Sequence, residues 1–68
     1  MDFSKKLKQL RLTLHATQTQ MAELLGITVR GYRNYELGTR VPDLSVLIKL
    51  ADYFNVSLDE LVGRKFPK

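Results

Sequence analysis

The 68-residue sequence has no cysteine and no tryptophan, only two prolines and four glycines, and one histidine, His15. Without cysteine, no disulfide and no thiolate metal site can staple so small a fold. Stability must then come from a packed apolar core, which the 44% apolar content makes feasible. One histidine, with no carboxylates clustered at ligand or acid–base spacing, supplies no constellation for metal binding or catalysis. No catalytic residue, no metal site and no cofactor are therefore expected, and the chain is not expected to be an enzyme. No apolar run approaches the roughly 20 residues of a membrane-spanning helix. The opening MDFSKKLKQL has neither a long apolar stretch nor a small-residue cleavage site, so no signal peptide is expected. The expectation is a soluble, cytoplasmic protein with no membrane partner.

Acidic residues are few, seven against eleven lysines and arginines. The net charge is +4, and its distribution says more than its size. Residues 1–15 carry Lys5, Lys6, Lys8 and Arg11 against Asp2, and residues 28–41 carry Arg30, Arg33 and Arg40 against Glu36. Residues 42–62 reverse the sign, with Asp43, Asp52, Asp59 and Glu60 against Lys49. A fold basic at one end and acidic at the other orients towards a polyanion.

What the sequence does contain is helix grammar, repeated along the chain. Phe3, Leu7, Leu10 and Leu14 recur at spacings of four, three and four, which predicts a helix over residues 2–14. Asp2 or Ser4 is the candidate cap, and His15 the candidate left-handed terminator. Thr17 opens helix two with the capping-box partner Gln20 and an Ala16–Met21 staple. Met21, Ala22 and Leu25 face inward, and Gly26 ends the helix. Thr28 opens helix three, with Ile27 and Tyr32 as its staple. At about 100° per residue, Val29, Arg30, Arg33 and Asn34 form an outer face, and Gly31, Tyr32, Tyr35 and Glu36 an inner one. Gly38 and Pro42 bound the next loop. Asp43 opens helix four, whose expected apolar stripe is Leu44, Leu47, Ile48, Ala51 and Phe54, with Asn55 as terminator. Ser57 and Glu60 form a second capping box, Val56 and Leu61 a staple, and helix five is expected over residues 58–62 with Gly63 as its stop. The expected organisation is an all-α domain over residues 1–63 and a short basic tail over residues 64–68, either frayed or a linker stub.

The stretch TQTQMAELLGIT resembles the first half of the Cro/C1-type (Xre) helix-turn-helix, whose usual pattern is close to SQEELAELLGVS. The likeness continues through Tyr35-Glu36-Leu37-Gly38-Thr39-Arg40-Val41-Pro42 and into Val56-Ser57-Leu58-Asp59-Glu60-Leu61. It covers about residues 5–62, and three motifs in register make it specific. The resemblance implies a compact five-helix, lambda-repressor-like domain in which helices two and three form the helix-turn-helix and helix three enters the major groove. Carried over position by position, Val29, Arg30 and Asn34 fall on base-reading sites, with Arg33 beside them. Gln18 and Thr28 fall on phosphate-contacting sites, Arg40 lies near the DNA backbone, and Arg11 and Glu36 occupy positions that often form an internal ion pair.

The residue chemistry fits these assignments. A forked arginine matches guanine O6 and N7, asparagine matches the adenine edge, and valine packs on a thymine methyl. Helix starts at Gln18 and Thr28 present N–H groups to phosphates. The chain departs from the family pattern at Val29, Gly31 and Tyr32. The implied function is a sequence-specific double-stranded DNA-binding regulator of bacterial or phage type. It is expected to be a repressor, to act as a homodimer on a (pseudo)palindromic operator and to work at the nucleoid. Two alternatives remain: an antitoxin-type regulator that also grips a toxin, and a protein-interaction module of this fold that reads no DNA. A protein partner, whether toxin or antirepressor, is left open.

Overall fold

Backbone groups at the helix ends decide where the elements of this chain begin and stop. The computed structural model describes residues 3–62 and places five helices there. They are α1 (Phe3–Thr13), α2 (Gln18–Leu25), α3 (Val29–Leu37), α4 (Leu44–Phe54) and α5 (Leu58–Leu61), with no strand among the described residues. The Thr17 hydroxyl accepts from the Gln20 N–H at 3.0 Å, and the Gln20 side chain accepts from the Thr17 N–H at 2.8 Å, which completes the expected capping box. Thr28, Asp43 and Ser57 cap α3, α4 and α5 by accepting from the N–H groups of Gly31, Val46 and Glu60, each at 3.0 Å. At α5 it is the Ser57 arm of the expected box that is formed. Ser4 lies inside α1 and so is not its cap, while Asp2, Gly63 and the 64–68 tail lie outside the described residues.

The first four helices stop in one way. His15, Gly26, Gly38 and Asn55 take φ values of 57°, 70°, 82° and 57°, as expected for all four terminators. The following N–H then turns back into the helix: Ala16 to Arg11, Ile27 to Ala22, Thr39 to Asn34 and Val56 to Ala51, at 3.0–3.1 Å. A side chain in this region carries a steric penalty of about 1–2 kcal/mol, and glycine gives back about 0.5–1 kcal/mol of it as lost chain entropy. His15→Gly should therefore raise the unfolding free energy in urea by about 0.5–1 kcal/mol. A fall instead would show that the imidazole makes a stabilising contact.

Each helix sends a large, fully buried side chain to a common centre: Leu7, Met21, Tyr32, Leu50 and Leu61. Ala16, Ala22, Leu25 and Ala51 complete the core, and Phe3, Leu10, Leu47, Phe54 and Val56 pack around its edge. α2 lies against α3, α1 against both α3 and α5, and α5 against α4. The inward residues of α2 are those expected. Two stripes need correction. Leu14 is exposed, because α1 stops at Thr13 and the chain turns away at His15; the buried position one turn after Leu7 belongs to Arg11. In α4, Leu44 and Ile48 are 62% and 44% exposed, whereas Leu50, absent from the expected stripe, is fully buried.

Candidate nucleic-acid interface

The inner side of α3 is built on a buried charge. The Arg11 and Glu36 side chains are only 11% and 4% exposed and form the expected pair, in a two-pronged geometry. Arg11 Nε donates to Glu36 Oε2 at 2.6 Å and Nη2 donates to Oε1 at 3.1 Å. Arg11 Nη1 donates to the Ala16 carbonyl at 3.0 Å, which ties the pair to the α1–α2 turn. The hydroxyl of the fully buried Tyr32 requires a partner. It donates to Glu36 Oε2 at 2.6 Å, and Gln18 Nε2 donates to Glu36 Oε1 at 3.2 Å. The carboxylate thus receives four hydrogen bonds from α1, α2 and α3. The i, i+4 spacing of Tyr32 and Glu36 on one helix face was the available signal for the first of these.

Burial works to raise the Glu36 pKa, but the bonds from Arg11, Tyr32 and Gln18, with the Arg11 charge, together hold it below the ordinary carboxylate value of 4.5. The bond to Glu36 raises the Arg11 pKa, and burial above all pushes the Tyr32 hydroxyl far above the usual 10.0. Asp43, bonded to the Val46 N–H and the Ser45 hydroxyl, is also lowered. The linkage has opposite signs on the two sides of neutrality. A lowered carboxylate contributes stability that is present above its unfolded pKa, near 4.5, and lost as pH falls through the folded value. A raised phenol contributes stability that is present below pH 10.0 and lost as pH rises beyond it. Urea titrations across pH should show a plateau bounded by these two declines. The alkaline decline should shrink in Tyr32→Phe; a decline of undiminished size would place its source elsewhere.

The outer side of α3 carries the expected reading residues. Arg30 and Arg33 are exposed and Asn34 half-buried. Among the described residues, the side chains of Arg30 and Asn34 make no hydrogen bond. Arg33 leans towards α2, with Nε 3.5 Å from Gln18 Oε1. Val29, expected on this face, is half-buried and packs against the edge of the core, so only part of it is presented outward. Thr28 and Gln18 stand at the two helix starts as expected, but both side chains are engaged, Thr28 as a cap and Gln18 on Glu36. The N–H groups of the first turn at each start have no partner within the helix. Gly31 has a local reason: a Cβ there would stand 3.2 Å from the Thr28 cap oxygen. Arg40 is exposed in the loop after α3, beside a shallow cleft shared with Phe3, Ser4, Tyr35 and Val41. That loop is held to α3 by the Asn34 carbonyl, which accepts from the N–H groups of Thr39 and Arg40 at 3.1 and 3.4 Å. No helix among the described residues is long and apolar enough to cross a membrane, and none of their His, Asp and Glu side chains group in threes as a metal site would require.

This arrangement has close parallels. A transcriptional regulator from Listeria innocua is similar in structure at a TM-score of 0.93 and 37% identity, covering 98% of this chain and 63% of that one. The P22 c2 repressor, solved with a synthetic operator, shares the fold at a TM-score of 0.86 and 17% identity, covering 96% of this chain and 98% of that one. In sequence, the chain is 39% identical over 64 residues to the cryptic phage CTXphi transcriptional repressor RstR of Vibrio cholerae, covering 94% of this chain. It is 47% identical over 60 residues to the HTH-type transcriptional regulator YqaE of Bacillus subtilis, covering 88% of this chain. It spans 57% and 52% of the lengths of these two relatives. A helix-turn-helix family model matches residues 7–61, from the middle of α1 to the end of α5. The chain belongs to the helix-turn-helix family, in its Cro/C1-type (Xre) class.

Proposed function

We propose that this chain is the sequence-specific DNA-binding unit of a transcription regulator, most simply a repressor that denies polymerase its site by occupying it. The observation that carries the reading is the outer face of α3. It holds two exposed arginines and an asparagine on one helix, flanked by those first-turn N–H groups of two helix starts that the Thr17 and Thr28 caps do not take up. Relatives named as transcriptional repressors and regulators, and a structural neighbour solved on an operator, support it. In this reading α3 lies in the major groove. Arg30, Arg33 and Asn34 meet base edges, with the exposed part of Val29 against a thymine methyl. The starts of α2 and α3, at Gln18 and Thr28, and the loop residue Arg40 meet phosphates.

One domain of this size makes few contacts, so tight binding calls for two copies on a (pseudo)palindrome with half-sites about one helical turn apart. Residues 1–63 form the binding unit and residues 64–68 its basic tail. The affinity for mixed genomic DNA fragments, measured against salt, tests the reading. Phosphate contacts predict a log–log slope of several units, and a flat response would rule out DNA binding. Selection from a random library then gives the site and its symmetry. On that site Arg30→Ala should weaken binding by about 1–3 kcal/mol and relax preference at one base position. Equal weakening on every sequence would reduce Arg30 to a phosphate contact.

A further inference from the structure

Gln18 opens α2, yet its side-chain amide lies between two charged groups of α3. Its Nε2 donates to Glu36 Oε1 at 3.2 Å, and its Oε1 accepts from Arg33 Nε at 3.5 Å. The chemistry fixes this orientation. A carboxylate only accepts and a guanidinium only donates, so the amide nitrogen must face Glu36 and the amide oxygen Arg33. Glu36 is itself held by Arg11 and Tyr32 in the interior. The buried carboxylate therefore sets the direction of the amide, and the amide holds one donor of an exposed arginine towards α2.

We propose that Gln18 is a positioning residue for Arg33: it relays the fixed orientation of Glu36 to the guanidinium on the outer face and so sets which donors of that guanidinium are left for DNA. The proposal rests on the DNA-binding reading and refines it. Phosphate contact at the start of α2 falls to the backbone N–H groups, and the Gln18 side chain serves specificity instead. With Nε directed at Gln18, the two Nη groups remain for a base edge, and the restricted sweep of the side chain reduces the entropy lost on contact. Arg30 is the internal reference, since it stands on the same face without a side-chain partner among the described residues.

The full chain is compared as wild type, Gln18→Met, Arg33→Ala and the double variant, in two measurements. Without DNA, solvent exchange of the arginine Nε–H groups is followed by NMR. Arg33 should exchange several-fold more slowly than Arg30 in the wild type, and Gln18→Met should abolish the difference. With DNA, the ratio of affinity for a library-selected site to affinity for bulk DNA should fall about 3–10-fold in Gln18→Met. It should fall no further in the double variant than in Arg33→Ala, and the salt slope should stay unchanged. Equal exchange at the two arginines overturns the relay whatever DNA shows. Additive losses also overturn it. So does uniform weakening on all sequences with a slope shallower by about one, which would make the Gln18 amide a phosphate contact. A wild type without sequence preference would sink the proposed function instead, and the exchange comparison would still decide whether Gln18 holds Arg33.

Discussion

Glu36→Ala is expected to lower the unfolding free energy by about 3–5 kcal/mol, because it strands the buried Arg11 guanidinium without its counter-charge. A chain of this size has roughly 3–10 kcal/mol in total, so the variant should be largely unfolded or melt about 12–40 °C lower. The loss is not confined to one pair. Tyr32, fully buried, and Gln18 would lose their acceptor at the same time, and an unsatisfied buried hydroxyl alone costs about 1–3 kcal/mol. The comparison that isolates the charge is the double variant Arg11→Met, Glu36→Leu. Replacing a buried ion pair by apolar residues of similar volume is often neutral or stabilising, so the double variant should recover much of what the single one lost. Thermal melts of the three proteins check this. An unchanged melting temperature in Glu36→Ala would mean that Arg11 finds water in the folded state and that the pair contributes little.

The same cluster marks how far the sequence could be read. Helix ends were legible because they depend on one or two residues: a hydroxyl or carboxylate at Thr17, Thr28, Asp43 and Ser57, and a left-handed terminator at His15, Gly26, Gly38 and Asn55. The outer side of α3 was legible for the same reason, since a short amphipathic helix has only two faces. The Arg11–Glu36 pair came from family resemblance, 25 positions apart in the chain, where no spacing rule reaches. What the sequence did not show is that Gln18 and Tyr32 converge on that carboxylate. For Gln18, on a different helix from Glu36, the partner is revealed only once the packing angle between helices is known, whereas Tyr32 and Glu36 share α3 at i, i+4 spacing. Val29 shows a related limit: a helical wheel gives direction, but the depth of the neighbouring core decides how much of a side chain is covered.

Leu50→Ala is expected to cost about 2–5 kcal/mol and Ile48→Ala well under half of that, although periodicity alone ranks them the other way. The sequence of α4, Leu44-Ser45-Val46-Leu47-Ile48-Lys49-Leu50-Ala51-Asp52-Tyr53-Phe54, is apolar around most of its circumference. Several stripes fit such a helix equally well, and the choice among them belongs to its neighbours. α5 packs against α4 and supplies Leu61, and the face that turns to meet it carries Leu50 and Ala51 with Leu47 and Phe54 at the rim. Leu50 is 0% exposed, so removing its side chain leaves a cavity in a close-packed interior. Ile48 already has 44% of its surface in water, and truncation there forfeits only part of its burial. Urea titrations of the two variants decide the matter, provided that they are done at several protein concentrations. A loss in Ile48→Ala that matches Leu50→Ala at high concentration and shrinks on dilution would show that the exposed side of α4 is covered by a second copy of the chain. A matching loss independent of concentration would mean instead that α4 is rotated about its axis from the orientation described.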